Sequence, residues 1–263
     1  MPEGDTVWRS ARQLDAALSG KVLTTGDLRM PALATTRLDG WTVLETVSRG
    51  KHLLTRLESP SGERWTLHTH LKMEGVWRVM APGARWSKPA HTARVVLATA
   101  EHQAVGFSLG LVDLYPTSHE PDRVGHLGPD LLGPDWDAGE ALARLTANPD
   151  RGLHEALLDQ RNLAGVGNVY ASELCFVVGR RPAAPVSSVK DPGRLVALAK
   201  NMLEANKERG ARTTTGDLRG RRTWVYGYAG KPCRRCGTTI ESAEMGPAGQ
   251  ERIAFWCPSC QTG

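Results

Sequence analysis

Between residues 116 and 134 the apolar pattern of this chain changes period, so no single layer of regular structure can accommodate both halves. From Val22 to about Tyr115 the sequence runs in short alternating stretches, WTVLETV, HLLTRLE, ERWTLHTHL, GVWRVM and ARVVLATA, punctuated by Gly, Pro and Ser. Period-two alternation over several short runs predicts a β-sandwich or barrel. Ahead of it, Val7, Leu14 and Leu18 recur at helical spacing and Gly20 can end the turn, which predicts one leading helix. From Asp135 onward GEALARL, GLHEALLDQ, NVYASELCFVVG and GRLVALAKNMLEANKERG all carry helical spacing. The stretch PTSHEPDRVGHLGPDLLGP holds too many Pro and Gly residues for one element. The expected fold class is therefore α+β, with an N-terminal domain over 1–116, a linker over 117–134 and a helical domain over 135–222.

The tail, 223–263, has too few large apolar residues for a core of its own and needs a staple. Two CxxC pairs supply one: Cys233 with Cys236, and Cys257 with Cys260. Each short loop sets two thiolates on one edge of a tetrahedron, and a hairpin over the intervening residues brings the edges together on one Zn²⁺. Incidental pairs or a redox disulfide are the alternatives. Four thiolates close the coordination sphere, so the metal is expected to be structural and the chemistry to lie elsewhere. The fifth cysteine, Cys175, falls in an apolar helical pattern, and no disulfide scaffold is expected.

Among the 263 residues, 33 Lys and Arg stand against 28 Asp and Glu, a formal charge of +5. An acidic polymer suits that excess, although many proteins carry as much without one. No basic segment leads into an apolar run, and no stretch approaches the ~18 apolar residues that cross a bilayer. A soluble, cytoplasmic protein without a membrane partner is the expectation.

Two further segments carry possible chemistry. In LLDQRNLAGVGNVYASELCF, Gly165 and Gly167 can leave backbone N–H groups free at the head of a helix, and the Asn168 amide could bind a phosphate beside them. An ordinary helical corner with Gly at C′ and Asn as N-cap fits the same residues. At the start, removal of Met1 would expose Pro2 as a secondary amine able to attack C1′ of a deoxynucleoside. Glu3 could then move protons and Asp5 hold the charged terminus.

Taken together and in order, MPEG, the Gly50-Lys51 pair, LLDQ..LAGVGNVYASE and R....WCPSCQ resemble the Fpg/Nei family of DNA glycosylases, nearer the endonuclease VIII branch. The resemblance implies a β-sandwich with a leading helix, a helix-two-turns-helix domain and a zinc finger, with bent, damaged double-stranded DNA in the cleft. It implies a monomeric bacterial base-excision-repair enzyme, nucleoid-associated, acting as glycosylase and AP lyase on oxidised bases, chiefly pyrimidines, with β,δ-elimination. By the same resemblance Pro2 is the Schiff-base nucleophile, Glu3 a proton donor, Lys51 the cation serving elimination, and Arg252 a phosphate contact assisting δ-elimination. Asn168, Lys72, His91 and His126 are implied backbone contacts. Met73, in HLKMEG, is implied to wedge into the duplex beside an everted nucleotide, where sandwich core is the other reading.

Thr6 stands where the family often has Glu, His126 where endonuclease VIII often has Arg, and FSLGLVDLYP lacks the Arg-Phe pair that reads the opposite base in the Fpg branch. Loose opposite-base selectivity follows from the resemblance. The rivals are a catalytically silent binder of damaged or abasic DNA on the same scaffold, and a zinc-ribbon RNA-binding module.

Overall fold

The computed structural model describes residues 1–247, 249 and 251–263. Contacts divide the chain into two compact units, 1–126 and 127–263.

In the first unit, helix α1 (Gly4–Leu18) is followed by eight strands: β1 (Thr25–Leu28), β2 (Thr42–Arg49), β3 (His52–Glu58), β4 (Arg64–His70), β5 (Val76–Met80), β6 (Ala93–Ala98), β7 (Gln103–Phe107) and β8 (Leu111–Pro116). They form two antiparallel sheets, ordered β1-β6-β7-β5 and β2-β3-β4-β8. Alternation puts Leu53, Thr55 and Leu57 of β3 on one buried face. Leu53, Leu57 and Leu67 from one sheet meet Leu28, Val95, Leu97 and Trp77 from the other in a single core. Helix α1 closes it with Val7, Ala11, Leu14 and Leu18, one helical stripe. Asp15 fixes the helix on the sheet by accepting the Thr46 N–H at 2.9 Å.

The division between the two units falls within the 117–134 segment. It forms a 3₁₀ turn and a short helix, α2 (Glu120–Val124), before extended chain in which Leu127 and Leu131 are buried. Glu120 accepts both arms of the Arg56 guanidinium, at 2.9 and 2.8 Å, and the Thr66 hydroxyl at 2.6 Å. A paired carboxylate and two buried leucines anchor the segment.

In the second unit α3 (Ala138–Thr146), α4 (Leu153–Leu158), α5 (Asn168–Val177) and α6 (Pro192–Asn206) surround a core that includes Leu145, Leu157, Tyr170, Leu174, Cys175 and Leu203. Burial pushes the Cys175 thiol far above its ordinary range, leaving it an inert core residue. The tail forms one hairpin, β9 (Glu241–Met245) with β10 (Arg252–Trp256). Its small cluster, Val225, Ile240, Cys233 and Cys257, leans on Phe176 of α5. Among the described residues no helix is long and apolar enough to cross a membrane.

Candidate active site and nucleic-acid interface

Pro2 is half-buried immediately before Glu3, the N-cap of α1, whose side chain is wholly buried. The Glu3 carbonyl accepts the Thr6 and Val7 N–H groups at 2.9 and 3.0 Å, fixing the start of the chain to the helix. Asp5 is buried as well, and the Thr6 hydroxyl reaches it at 3.4 Å.

Lys51 sits half-buried at the tip of the β2–β3 hairpin, where Arg49 pairs with His52 across a two-residue turn. Gly50, at φ +58°, meets the demand of the first central position of such a turn for a left-handed backbone. Next in the same sheet, β4 ends at His70 and the chain turns through Leu71–Gly75, where the Gly75 N–H bonds the Leu71 carbonyl at 2.9 Å. Lys72 holds φ +52°, unusual for a residue with a Cβ, and its N–H donates to His70 Nδ1 at 2.9 Å. Gly110 permits this turn, since a Cβ there would lie 2.2 Å from Lys72 Cγ. Met73 at the apex is 62% exposed, so it is not sandwich core.

Behind the two lysines lies a cluster that pattern reading passes over. His52 faces His70 across the β3–β4 ladder, their rings 4.9 Å apart, and His52 Nδ1 lies 2.8 Å from His68 Nε2. Burial, then His70, His68, His126 and Lys72, push His52 down to about 3. Burial, then Lys72, Lys51 and His68, push His70 down to about 4. Those influences gather Lys51, Lys72 and His126 around one group of neutral imidazoles. The available signal was register: His68 and His70 alternate on β4, and β3 begins with His52. His91 is exposed in the 3₁₀ turn before β6.

In the second unit Asn168 opens α5, 5% exposed, with Oδ1 3.0 Å from His154 Nε2 and Nδ2 donating to the Ile253 carbonyl at 2.9 Å. Arg252, exposed at the start of β10, is the neighbour of that carbonyl, so this geometry brings Asn168 and Arg252 together. Gly165 takes φ +108° in the turn ahead of the helix. Glu173, one helical stripe along α5, is wholly buried and was also missed. It accepts the N–H groups of Trp224, Val225 and Tyr226 at 2.6, 2.9 and 2.9 Å, and the Thr214 hydroxyl. Burial raises its pKa, opposed by these four donors, all of which favour the ionised form. The carboxylate thereby clamps the approach to the finger onto α5.

The four finger sulfurs lie within 4.8 Å of one another, Cys233 to Cys260 at 4.0 Å and Cys236 to Cys257 at 3.5 Å. A tetrahedron of thiolates on one ion with bonds near ~2.3 Å needs sulfurs about 3.8 Å apart. The residues present fit such an ion.

The formamidopyrimidine-DNA glycosylase N-terminal domain matches residues 1–109, and the H2TH domain of the same glycosylase matches residues 127–216. The chain belongs to the Fpg/Nei family. Its similarity to Fpg/Nei relatives runs end to end. It is 55% identical to "Probable endonuclease 8 2" of Streptomyces coelicolor, covering 100% of this chain and 95% of that one. It is 52% identical to "DNA-(apurinic or apyrimidinic site) lyase Nei2" of Mycolicibacterium smegmatis, over 100% and 99%. Among solved structures, Lactococcus lactis Fpg (MutM) in complex with an N7-benzyl-Fapy-dG containing DNA superposes with a TM-score of 0.79 at 24% identity, covering 100% of both chains, and shares the fold.

Proposed function

We propose that this Fpg/Nei member is a base-excision-repair DNA glycosylase and AP lyase that removes oxidised bases, chiefly pyrimidines, from double-stranded DNA, with Pro2 as nucleophile. The observation that carries the reading is the head of α1, where a half-buried proline precedes a wholly buried glutamate in a chain related end to end to a protein named as an AP lyase. Peptide-bonded Pro2 has no nucleophilic lone pair, so the active form is the chain without Met1.

The free amine attacks C1′, the bond from C1′ to the base breaks, and the base leaves with a proton. Ring opening protonates O4′ and leaves an iminium on Pro2, which acidifies C2′. Loss of the C2′ proton expels the 3′ phosphate, loss of the C4′ proton expels the 5′ phosphate, and water releases the sugar fragment from Pro2. The product is a one-nucleotide gap with phosphates at both ends. Glu3 serves proton transfer, Lys51 assists β-elimination, and Arg252 holds phosphate and assists δ-elimination. Lys72, His91, His126 and Asn168 hold the backbone, and Met73 fills the space of the everted nucleotide. Cys233, Cys236, Cys257 and Cys260 hold one Zn²⁺, which when bound cross-links the finger and takes no part in the chemistry. The enzyme works as a monomer in the bacterial cytoplasm, on the nucleoid.

Borohydride reduction over an abasic duplex tests the mechanism. Protein whose intact mass shows Met1 removed is expected to form a covalent adduct, and Pro2→Ala to lose it, with nicking reduced roughly a hundredfold or more. An unchanged adduct in Pro2→Ala removes the nucleophile assignment. Lesion binding without nicking by the processed wild type identifies a catalytically silent damage binder.

A further inference from the structure

The hydrogen bonds of Asn168 form a circuit through three elements, α4, α5 and β10. A side-chain amide can turn by half a rotation, exchanging oxygen for nitrogen, and the neighbours decide which face it shows. Here the Ile253 carbonyl, which can only accept, takes Nδ2 at 2.9 Å. Oδ1 therefore faces His154 Nε2 at 3.0 Å, and that ring nitrogen must be the donor. His154 is 2% exposed, and burial, opposed by the Asn168 bond, pushes it down to about 4, so near neutrality the ring is uncharged with a single N–H. The circuit assigns that N–H to Nε2. Asn168 then keeps one amide hydrogen that no group among the described residues accepts. The amide can neither flip nor drift while the imidazole and the carbonyl hold it, and the carbonyl belongs to the residue after Arg252.

We infer that His154 is a positioning residue for DNA binding: it fixes the Asn168 amide with an N–H aimed at a backbone phosphate and ties that donor to the strand carrying Arg252. The inference rests on the reading of Asn168 as a backbone contact. It extends that reading to a buried residue 14 positions upstream whose side chain touches no DNA in this scheme. Losing the imidazole leaves Oδ1 without its donor and the amide held only by the Ile253 carbonyl, so the remaining N–H is no longer fixed toward the phosphate although no group on the surface has changed.

The full chain would be titrated with a duplex bearing a tetrahydrofuran abasic analogue. His154→Leu is expected to weaken Kd about tenfold, the worth of one charge-assisted hydrogen bond. His154→Gln, which restores a donor at the same reach, should recover most of the loss. In an Asn168→Ala background His154→Leu should add nothing, because the two act through one contact. Turnover of an abasic duplex should show a raised KM with kcat retained. Nitrogen NMR of the wild type supplies a measurement independent of whether the variant folds: the hydrogen is expected on Nε2, and a hydrogen on Nδ1 overturns the inference. So does His154→Leu binding as wild type while Asn168→Ala is weakened, or a full loss from His154→Leu in the Asn168→Ala background. If Asn168→Ala itself binds as wild type, the reading of Asn168 as a phosphate contact fails, and the inference falls with it.

Discussion

Met73 shows how a single residue can be held ready without being packed. The turn beneath it is fixed by the left-handed backbone of Lys72, by the bond from the Lys72 N–H to His70, and by the space that Gly110 leaves open. The methionine itself is 62% exposed, so it contributes little to folding, as the wedge role proposed for it requires. Met73→Ala is therefore expected to leave unfolding free energy within about 0.5 kcal/mol of wild type. Binding to an abasic-analogue duplex should weaken several-fold, because the side chain no longer offsets lost stacking. Denaturant titration and fluorescence anisotropy on the same preparation separate the two effects. A large loss of stability with unchanged binding would return Met73 to the core.

At the scale of elements, β3 and β4 carry a liability that follows from their register. His52, His68 and His70 are all held below their ordinary range, first by burial. Lys51, Lys72, Arg123 and His126 oppose their protonation, while Asp113 and Glu120 favour it at His68 alone. The unfolded chain binds protons below about pH 6.5, whereas folded His52 and His70 resist until about 3 and 4. The unfolded state thus holds more protons throughout that window, and stability falls as pH drops through it. The expected slope is on the order of 1 kcal/mol per pH unit for each imidazole, fully recovered above pH 6.5. Urea titrations at pH 7 and pH 5, read on the tryptophans, check this, with His52→Gln expected to flatten the dependence. An equal slope in that variant would place the acid sensitivity elsewhere. The strands themselves were legible, because alternation is a property of neighbours in sequence, as were the helices with their 3.6-residue spacing. The histidine cluster depends on which residues face each other across β3 and β4, and the clamp at Glu173 joins residues about 50 positions apart. Local pattern carries no record of either. The anchoring of the 117–134 segment is illegible locally for the same reason, since it involves Arg56, far upstream.

For the whole molecule, net charge is a poor guide to how DNA would be held. An excess of +5 is small, and many of the arginines are already committed: Arg144 to Glu140 at 2.6 Å, Arg151 to Glu155 at 2.9 Å, Arg161 to Asp159 at 2.7 Å. Cations already paired with carboxylates neutralise fewer phosphates and so release fewer of the counterions condensed on the DNA. The proposed contacts instead concentrate in a few side chains, Lys51 and Lys72 on the sandwich and Arg252 on the finger. Each phosphate neutralised contributes about −0.9 to the slope of log affinity against log salt. Three such contacts set a slope near −3, well short of what 33 cations acting evenly would give. Arg252→Gln should lower the magnitude by about one, and Arg144→Gln should leave it unchanged despite removing the same charge. Anisotropy titrations of the abasic-analogue duplex between roughly 50 and 300 mM potassium chloride give the slopes directly. If the two variants shift the slope equally, binding is governed by the overall field, and the few-contact description is wrong.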